Sequence, residues 1–415
     1  MKKIYVAANG CAVLRHETNR ILTFFLRNGY RESNYIKESN VILFSGCGMT
    51  NEDVSFDVQK IEEYQAQRQE HSMFIVTGCL PAVYNKIRDI SADIIVLRYE
   101  DLDKLDDILC ASIKIREVCY NHGLDSHLVW PKQMDPKDIS EDKLLITEIG
   151  NYTNNNDLIE LYNYSTPGKY IWPDAEIFQI RIAYGCSYKC SYCASRLSVG
   201  KMRSVPLQTI LNQFQDGIAR GFKKFMLIGT ELGNYGVDCQ CTIVDLITNL
   251  YRINCDVKVG IRYIHPDCLV KYFDGLKPFF SNGFVYYFCS AIQTCSSRLL
   301  QKMNRNPDLS NFFKCIQIIN DNNFPVFKHT QLIVGFPSET FKEIVDTLDI
   351  VTKYNFNYVN VNKFSSRPMT PAHQMEEQLS EEEKEKRLVF AKQWLSLKRK
   401  DLLYTAIKGL KFRSK

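Results

Sequence analysis

The first hundred residues alternate short apolar runs with stretches of helical periodicity. Lys3 to Ala8 reads as a strand, residues 17–28 as a helix closed by Gly29, and Val41 to Phe44 as a second strand. A helical stretch from about Asn51 to Gln69, a strand from Met73 to Val76 and a fourth from Ile94 to Leu97 complete the pattern. Uninterrupted apolar strands separated by helices predict a parallel α/β sheet covered on both faces, a flavodoxin- or Rossmann-like domain. Each of the first three strands runs into a cysteine: Asn9-Gly10-Cys11, Ser45-Gly46-Cys47 and Thr77-Gly78-Cys79. Parallel strands share a carboxyl edge, where ligand sites of open α/β sheets lie, so three thiols leaving that edge can converge on one metal centre. Chance placement of a small buried residue is the alternative for any single one of them.

From about Tyr120 to Pro173 the periodicity fades. Residues 151–157 are Asn-rich, prolines recur at 131, 136, 167 and 173, and the segment reads as a long linker. A second α/β series follows, with strands near Phe178–Ala183, Phe225–Ile228, Lys258–Tyr263, Val285–Ser290, Phe327–Val334 and Tyr358–Lys363. Six strands joined by helical crossovers predict a partial (β/α)6 barrel, with function at the carboxyl ends of its strands. Ser380 and Glu383 form a capping-box pair at the head of a helix expected over residues 381–406. The domain reading is therefore 1–119, a 120–174 insertion, the barrel over 175–375 and a helical tail over 376–415.

Composition adds constraints rather than a fold. Of 415 residues, 45% are hydrophobic and 24% charged, which suits a globular chain and excludes a disordered one. The net charge is +5, and residues 391–415 carry eight Lys or Arg against Asp401, so the tail is +7 and the remainder −2. No apolar run approaches the roughly 18 residues of a membrane span. The run from Ile4 is also too short, and interrupted by Asn9, for a leader whose apolar core needs roughly 7–15 residues. A cytoplasmic, membrane-free, monomeric enzyme is the expectation, and its fifteen cysteines should then be reduced and available for metal.

The chemistry concentrates in Gly185-Cys186-Ser187-Tyr188-Lys189-Cys190-Ser191-Tyr192-Cys193. C-x3-C-x2-C places three thiolates in one loop and leaves a coordination position open, as a substrate-binding iron cluster requires. A zinc site completed by a distant histidine is the alternative, but His127 and His265 are not at zinc-motif spacing. The other nine cysteines (110, 119, 239, 241, 255, 268, 289, 295 and 315) match no ligand spacing.

The loop, its aromatic before the last cysteine and its place after the first barrel strand resemble the radical S-adenosylmethionine (SAM) superfamily. The three Gly-Cys strand ends narrow the resemblance to the methylthiotransferases of the MiaB/RimO type. Val76-Thr77-Gly78-Cys79-Leu80-Pro81, Gly200-Lys201-Met202-Arg203-Ser204-Val205-Pro206, Tyr235-Gly236-Val237-Asp238, Met303-Asn304-Arg305, Ile333 to Thr340 and Thr370-Pro371-Ala372 extend it along nearly the whole chain. The resemblance implies two [4Fe-4S] clusters. Cys186, Cys190 and Cys193 would hold the one that binds SAM and cleaves it to methionine and a 5′-deoxyadenosyl radical. Cys11, Cys47 and Cys79 would hold an auxiliary cluster that carries sulfur for methylation by a first SAM and capture by the substrate radical. Tyr192, Thr230, Glu231, Arg262, Gln293 and Val334 are candidate SAM contacts; each is also a plausible core or strand-capping residue. A low-potential donor such as flavodoxin or ferredoxin and a sulfur source are the implied partners.

Three departures bear on the acceptor. Well-known members carry a small β-barrel TRAM module after the last helix, and this sequence is expected to lack it. The linker is longer than usual, and Leu14 stands where the family has Asn. With a −2 core, the expected acceptor is a peptide or protein side chain, such as a ribosomally made precursor peptide, with a tRNA adenosine as the alternative. Radical chemistry with the auxiliary cluster used for electron transfer, as in crosslinking maturases, and a cluster-binding scaffold without turnover are the competing classes.

Overall fold

The computed structural model describes residues 1–10, 12–119 and 177–395. Cys11, the whole 120–174 insertion with residues 175 and 176, and the tail beyond 395 lie outside the described residues.

The N-terminal part is a five-stranded sheet. Its strands are β1 (Lys3–Ala8), β2 (Arg31–Glu32), β3 (Val41–Gly46), β4 (Met73–Gly78) and β5 (Ile95–Val96), in the order β2-β1-β3-β4-β5 and all parallel. Side chains alternate across the pleat. Ile4, Val6, Leu43 and Ile75 pack with Ile21, Leu22, Phe24 and Phe25 of helix α1 (Ala12–Arg27). Tyr5, Ala7, Phe44, Phe74 and Val76 pack on the other face with Ile61 of α2 (Asn51–Gln67). Period-2 burial on both faces is why these strands read as continuous apolar runs. Helix α1 begins earlier than the sequence suggests, immediately after the Cys11 position, because Leu14, Arg15 and His16 are already buried. The fourth strand shrinks to two residues, enough to pair only with Ile75 and Val76.

The second part contains β6 (Ile177–Arg181), a short hairpin of β7 (Ala183–Tyr184) with β8 (Arg203–Ser204), then β9 (Lys224–Ile228), β10 (Lys258–Arg262), β11 (Val285–Cys289), β12 (Phe327–Val334) and β13 (Tyr358–Lys363). The main sheet runs β13-β12-β11-β10-β9-β6, all parallel: six sequential strands of an incomplete barrel. Phe178, Ile180, Phe225, Leu227, Val259, Ile261 and Phe288 face the surrounding helices. Ile177, Met226, Ile228, Tyr287 and Cys289 form the inner cluster. Six strands do not close a barrel, so β6 and β13 leave a lateral gap.

The N-terminal part spans that gap. From α1, Glu17 bonds Arg181 at the end of β6 (2.7 Å). From α2, Glu52 pairs with Lys363 at the end of β13 (3.3 Å). The carboxyl edge of the first sheet is thereby set against the carboxyl ends of the barrel strands. A helix over 381–395 packs Ala391 and Leu395 on the outer core. Among the described residues no helix is long and apolar enough to cross a membrane.

Candidate cluster sites

The loop carrying Cys186, Cys190 and Cys193 leaves the β7 strand through Gly185. Its φ is +74°, and a Cβ there would lie 2.0 Å from the Lys201 carbonyl oxygen, so glycine alone fits. The Cys186 N–H donates to the Gly200 carbonyl (3.3 Å) and the Cys193 N–H to that of Cys190 (3.1 Å). The middle of the loop is pinned from outside. Ser191 donates its N–H to Met303 O (2.9 Å) and its hydroxyl to Lys302 O (2.8 Å), and its own carbonyl accepts from Ala372 N (2.9 Å). Asn304 Nδ2 donates to the Lys189 carbonyl (2.8 Å). The Met303-Asn304-Arg305 and Thr370-Pro371-Ala372 motifs are thus the scaffold of the cysteine loop.

The three thiols sit within electrostatic reach of one another. Burial pushes Cys186 up to about 12, with Glu231, Cys193 and Cys190 adding to the rise. Cys193 is raised mainly by burial, and N–H groups of Arg196 and Ser195 point at its sulfur. Arg305 Nη1 lies 3.7 Å from Cys190 Sγ and donates to the Tyr192 hydroxyl (3.2 Å). Buried sulfurs met by N–H donors and one guanidinium suit thiolate ligands of an iron cluster, whose properties are tuned by hydrogen bonds to sulfur. Among the described residues no three His, Cys, Asp or Glu side chains are grouped as ligands of one metal ion. Ligands of a single zinc at about 2.3 Å would crowd together, whereas a cluster spreads each cysteine onto its own iron.

The second set is built on the first sheet's carboxyl edge. Asp57 of α2 accepts from Asn9 Nδ2 (2.7 Å) and from the Cys47 N–H (2.5 Å), tying the β1 and β3 exits together. Burial pushes Asp57 up to about 8. Gly78 has φ +98°, and a Cβ there would meet the Gly46 carbonyl at 2.4 Å, so the Cys47 and Cys79 loops close on each other through glycine. The Cys79 N–H donates to Gly46 O (2.9 Å). Cys47 is buried and Cys79 partly so.

The short helix Ser195–Val199 joins the two sets. It starts two residues after Cys193, its Ser198 hydroxyl donates to the Cys79 carbonyl (3.1 Å), and its Ser195 hydroxyl meets the Met49 sulfur (3.1 Å).

The remaining candidates separate. Tyr192 packs against Leu299, Met303, Phe336 and Ala372, beside the thiols. Glu231 is buried, and its carboxylate accepts from Gly233 N (2.6 Å), Asn234 N (3.0 Å) and His265 N (3.1 Å), which makes it a loop organiser. Thr230, just before it, is partly exposed. Arg262 ends β10 and is buried. Gln293 bridges to β12 through Gln331 O and Ile333 N, and its buried Oε1 has no hydrogen-bond partner among the described residues. Val334 belongs to the outer core, not to the group around Tyr192. Composition and spacing did not single out Arg305, Asp57, the Glu17–Arg181 pair or His265. His265 stacks on Tyr188 of the loop at 3.7 Å, and burial drives it down to about 2, leaving it neutral. Arg305 does lie in a matching motif, Met303-Asn304-Arg305; Glu17, Arg181 and Asp57 carry no motif signal.

Comparisons with known proteins agree with this geometry. The radical SAM superfamily model matches residues 180–351, and that of uncharacterized protein family UPF0004 matches residues 3–96. The chain is 24% identical over 402 residues to the threonylcarbamoyladenosine tRNA methylthiotransferase MtaB of Thermotoga maritima, covering 94% of this chain and 80% of the relative. It is also 24% identical over 389 residues to the ribosomal protein uS12 methylthiotransferase RimO of Protochlamydia amoebophila, covering 93% and 74%. Among solved structures, the radical SAM methyltransferase TsrM of Kitasatospora setae aligns over 90% of this chain and 75% of its own, with TM-score 0.60 and 10% identity, a likeness of fold.

Proposed function

The chain belongs to the MiaB/RimO-like radical SAM methylthiotransferases, enzymes that use [4Fe-4S] clusters and SAM, and from that premise we propose that it inserts a methylthio group into an unactivated C–H bond of a peptide or protein side chain. In this reading Cys186, Cys190 and Cys193 hold the SAM-binding cluster, and Cys47 and Cys79, with Cys11, hold the auxiliary one. When bound, the clusters supply reductive cleavage of SAM and the sulfur to be transferred. The chain's own residues supply placement. Gly185 and the Ser191 clamp shape the loop, the Arg305 guanidinium faces Cys190, and Glu231 and His265 order the wall behind Tyr188.

The observation that carries the reading is the Ser195–Val199 helix, which begins two residues after Cys193 and bonds the Cys79 carbonyl through Ser198, bringing these two cysteine loops together. With both clusters bound, this helix would help set the distance between the chemistry each supplies, and holding reacting groups close lowers the barrier of such a transfer.

Charge supports this choice of acceptor. Glu376, Glu377, Glu381, Glu382 and Glu385 are exposed on the segment after the barrel, and Glu381 and Glu385 share Lys363 with Glu52 at the β13 side of the mouth. These carboxylates, partly offset by Lys302, Lys363, Lys384 and Lys386, offer little to attract a phosphate backbone and suit a neutral or basic polypeptide. Methylthiolated peptide from cells carrying the gene, absent without it, is the expected result. Modified tRNA adenosine, the acceptor in the MtaB relatives' name, would reassign the substrate.

Gly185→Ala tests the loop. The added methyl must displace the Lys201–Met202 backbone. We expect reconstituted iron to fall from about eight to about four per chain, read by iron assay on anaerobically prepared protein.

A further inference from the structure

Resting on the assignment of Cys186, Cys190 and Cys193 to the SAM-binding cluster, we propose that Arg305 tunes that cluster. Its guanidinium, bonded to Cys190 and paired with no carboxylate among the described residues, raises the reduction potential and so eases loading of the electron by a low-potential donor.

Arg305 is delivered by the turn that pins the cysteine loop. Asn304 takes a left-handed φ of +53°, its side chain bonds the Lys189 carbonyl, and the Arg305 N–H returns to Leu300 O (2.9 Å). The partly buried guanidinium is then held from two sides. Nη2 donates to the carbonyl of Ala291, two residues beyond β11 (2.7 Å). Nη1 is shared between the Tyr192 hydroxyl (3.2 Å) and Cys190 Sγ (3.7 Å). Tyr192 and Cys190 are the groups that act on its charge, and among the described residues no carboxylate pairs with it. The three thiols are not met alike. Cys186 is met by the Tyr188 N–H, and Cys193 by the N–H groups of Arg196 and Ser195 and the Ser195 hydroxyl. Among the described residues, only the Cys190 thiol of the three receives a hydrogen bond from a charged side chain.

A guanidinium withdrawn from water is unfavourable unless an anion answers it. A cluster on three thiolates is such an anion, and it becomes one charge more negative when it accepts an electron. The attraction to Arg305 is therefore stronger in the reduced state, which raises the potential; net charge and hydrogen bonds to sulfur are what set such potentials. In this step one electron passes from the donor to the cluster, and no bond forms or breaks. Arg305 acts through Cys190 and neither gains nor loses a proton, since guanidinium stays charged. Glutamine in its place keeps a donor without the charge. Lysine keeps the charge without the fork that reaches Ala291 and Cys190 together.

The test uses the full chain, reconstituted without oxygen, as wild type, Arg305→Gln and Arg305→Lys. A redox titration is followed by electron paramagnetic resonance, reading the reduced-cluster signal that shifts when SAM is added, which belongs to the cluster with the open iron. At a fixed solution potential, Arg305→Gln should lower the ratio of reduced to oxidised cluster about tenfold, a midpoint lower by about 59 mV for one electron. Arg305→Lys should keep that ratio within about threefold of wild type. A Gln variant with wild-type iron and an unmoved midpoint marks a merely structural arginine and overturns the proposal, as does a tenfold shift in the Lys variant. Should the Gln variant hold fewer irons than wild type, Arg305→Lys decides alone: wild-type iron with the ratio within threefold supports the tuning role, and lost iron overturns it. A wild type with no SAM-responsive signal removes the cluster assignment and this inference with it; a SAM-responsive signal whose midpoint ignores Arg305 removes this inference alone.

Discussion

Cys190→Ala is expected to abolish SAM cleavage, by at least about a thousandfold, the scale seen when a group that carries the chemistry is removed. Cys47→Ala should leave cleavage standing while abolishing methylthio transfer. Both variants should lose about four of about eight irons. The asymmetry follows from the architecture. Cys190 shares its loop with Cys186 and Cys193, beside Arg305 and Tyr192 on the barrel side of the site. Cys47 leaves β3 on the opposite wall, held by Asp57, and none of the loop-clamping bonds at Ser191 or Asn304 reaches it. Each loop can therefore lose its cluster with the other fold intact. The measurements are iron per chain, 5′-deoxyadenosine by chromatography and product by mass spectrometry. Loss of cleavage in both variants would mean that the two loops do not act separately.

The sequence exposed what periodicity and local chemistry encode. Phe327–Val334 and Tyr358–Lys363 appear as read, because their runs begin and end at sharp changes from apolar to polar or turn-forming residues. The three Gly-Cys strand ends were legible because a parallel sheet forces its carboxyl ends to one edge, and the glycines at 46 and 78 do meet there. Long-range pairing was not legible. Glu17 lies in a run that reads only as the start of an amphipathic helix, and nothing local says that its partner is 164 residues away. Asp57 likewise looks like one acid on a polar helix until the fold brings it to Asn9 and Cys47. Val334 shows the converse error. Its motif placed it at the site, but strand alternation turns it outward, leaving Ile333 and Phe336 around Tyr192.

Glu17→Gln should lower stability by about 3–5 kcal/mol and, in the fraction that stays folded, raise 5′-deoxyadenosine formed per methylthiolated product. Glu17 accepts from both Arg20 and Arg181, and the Arg181 and Glu17 side chains are 3% and 1% exposed. Arg181 also stacks on Tyr184 at 4.0 Å, one residue before Gly185. This ion triad bolts α1, which begins just after the Cys11 position, to the end of β6, from which the chain runs through β7 into the Cys186–Cys193 loop. Neutralising its anion leaves two buried guanidinium groups facing each other, which explains the expected cost. The same contact carries a pH signature. Burial alone would raise the Glu17 carboxyl, but Arg20 and Arg181 outweigh it and hold it below its ordinary value. A depressed carboxyl contributes stability above its unfolded value of about 4.3, and that contribution is lost as pH falls through the folded value. Wild type should therefore lose stability on acidification from about pH 5 downward, and Glu17→Gln should lose less over the same range, measured by urea unfolding. Replacing Glu17, Arg20 and Arg181 together with methionine separates pairing from distance. It should recover much of the stability, since well-packed apolar groups can substitute for a buried pair. If product coupling recovers as well, the packed interface sets the separation of the two cysteine loops; if it does not, the charged bond itself does.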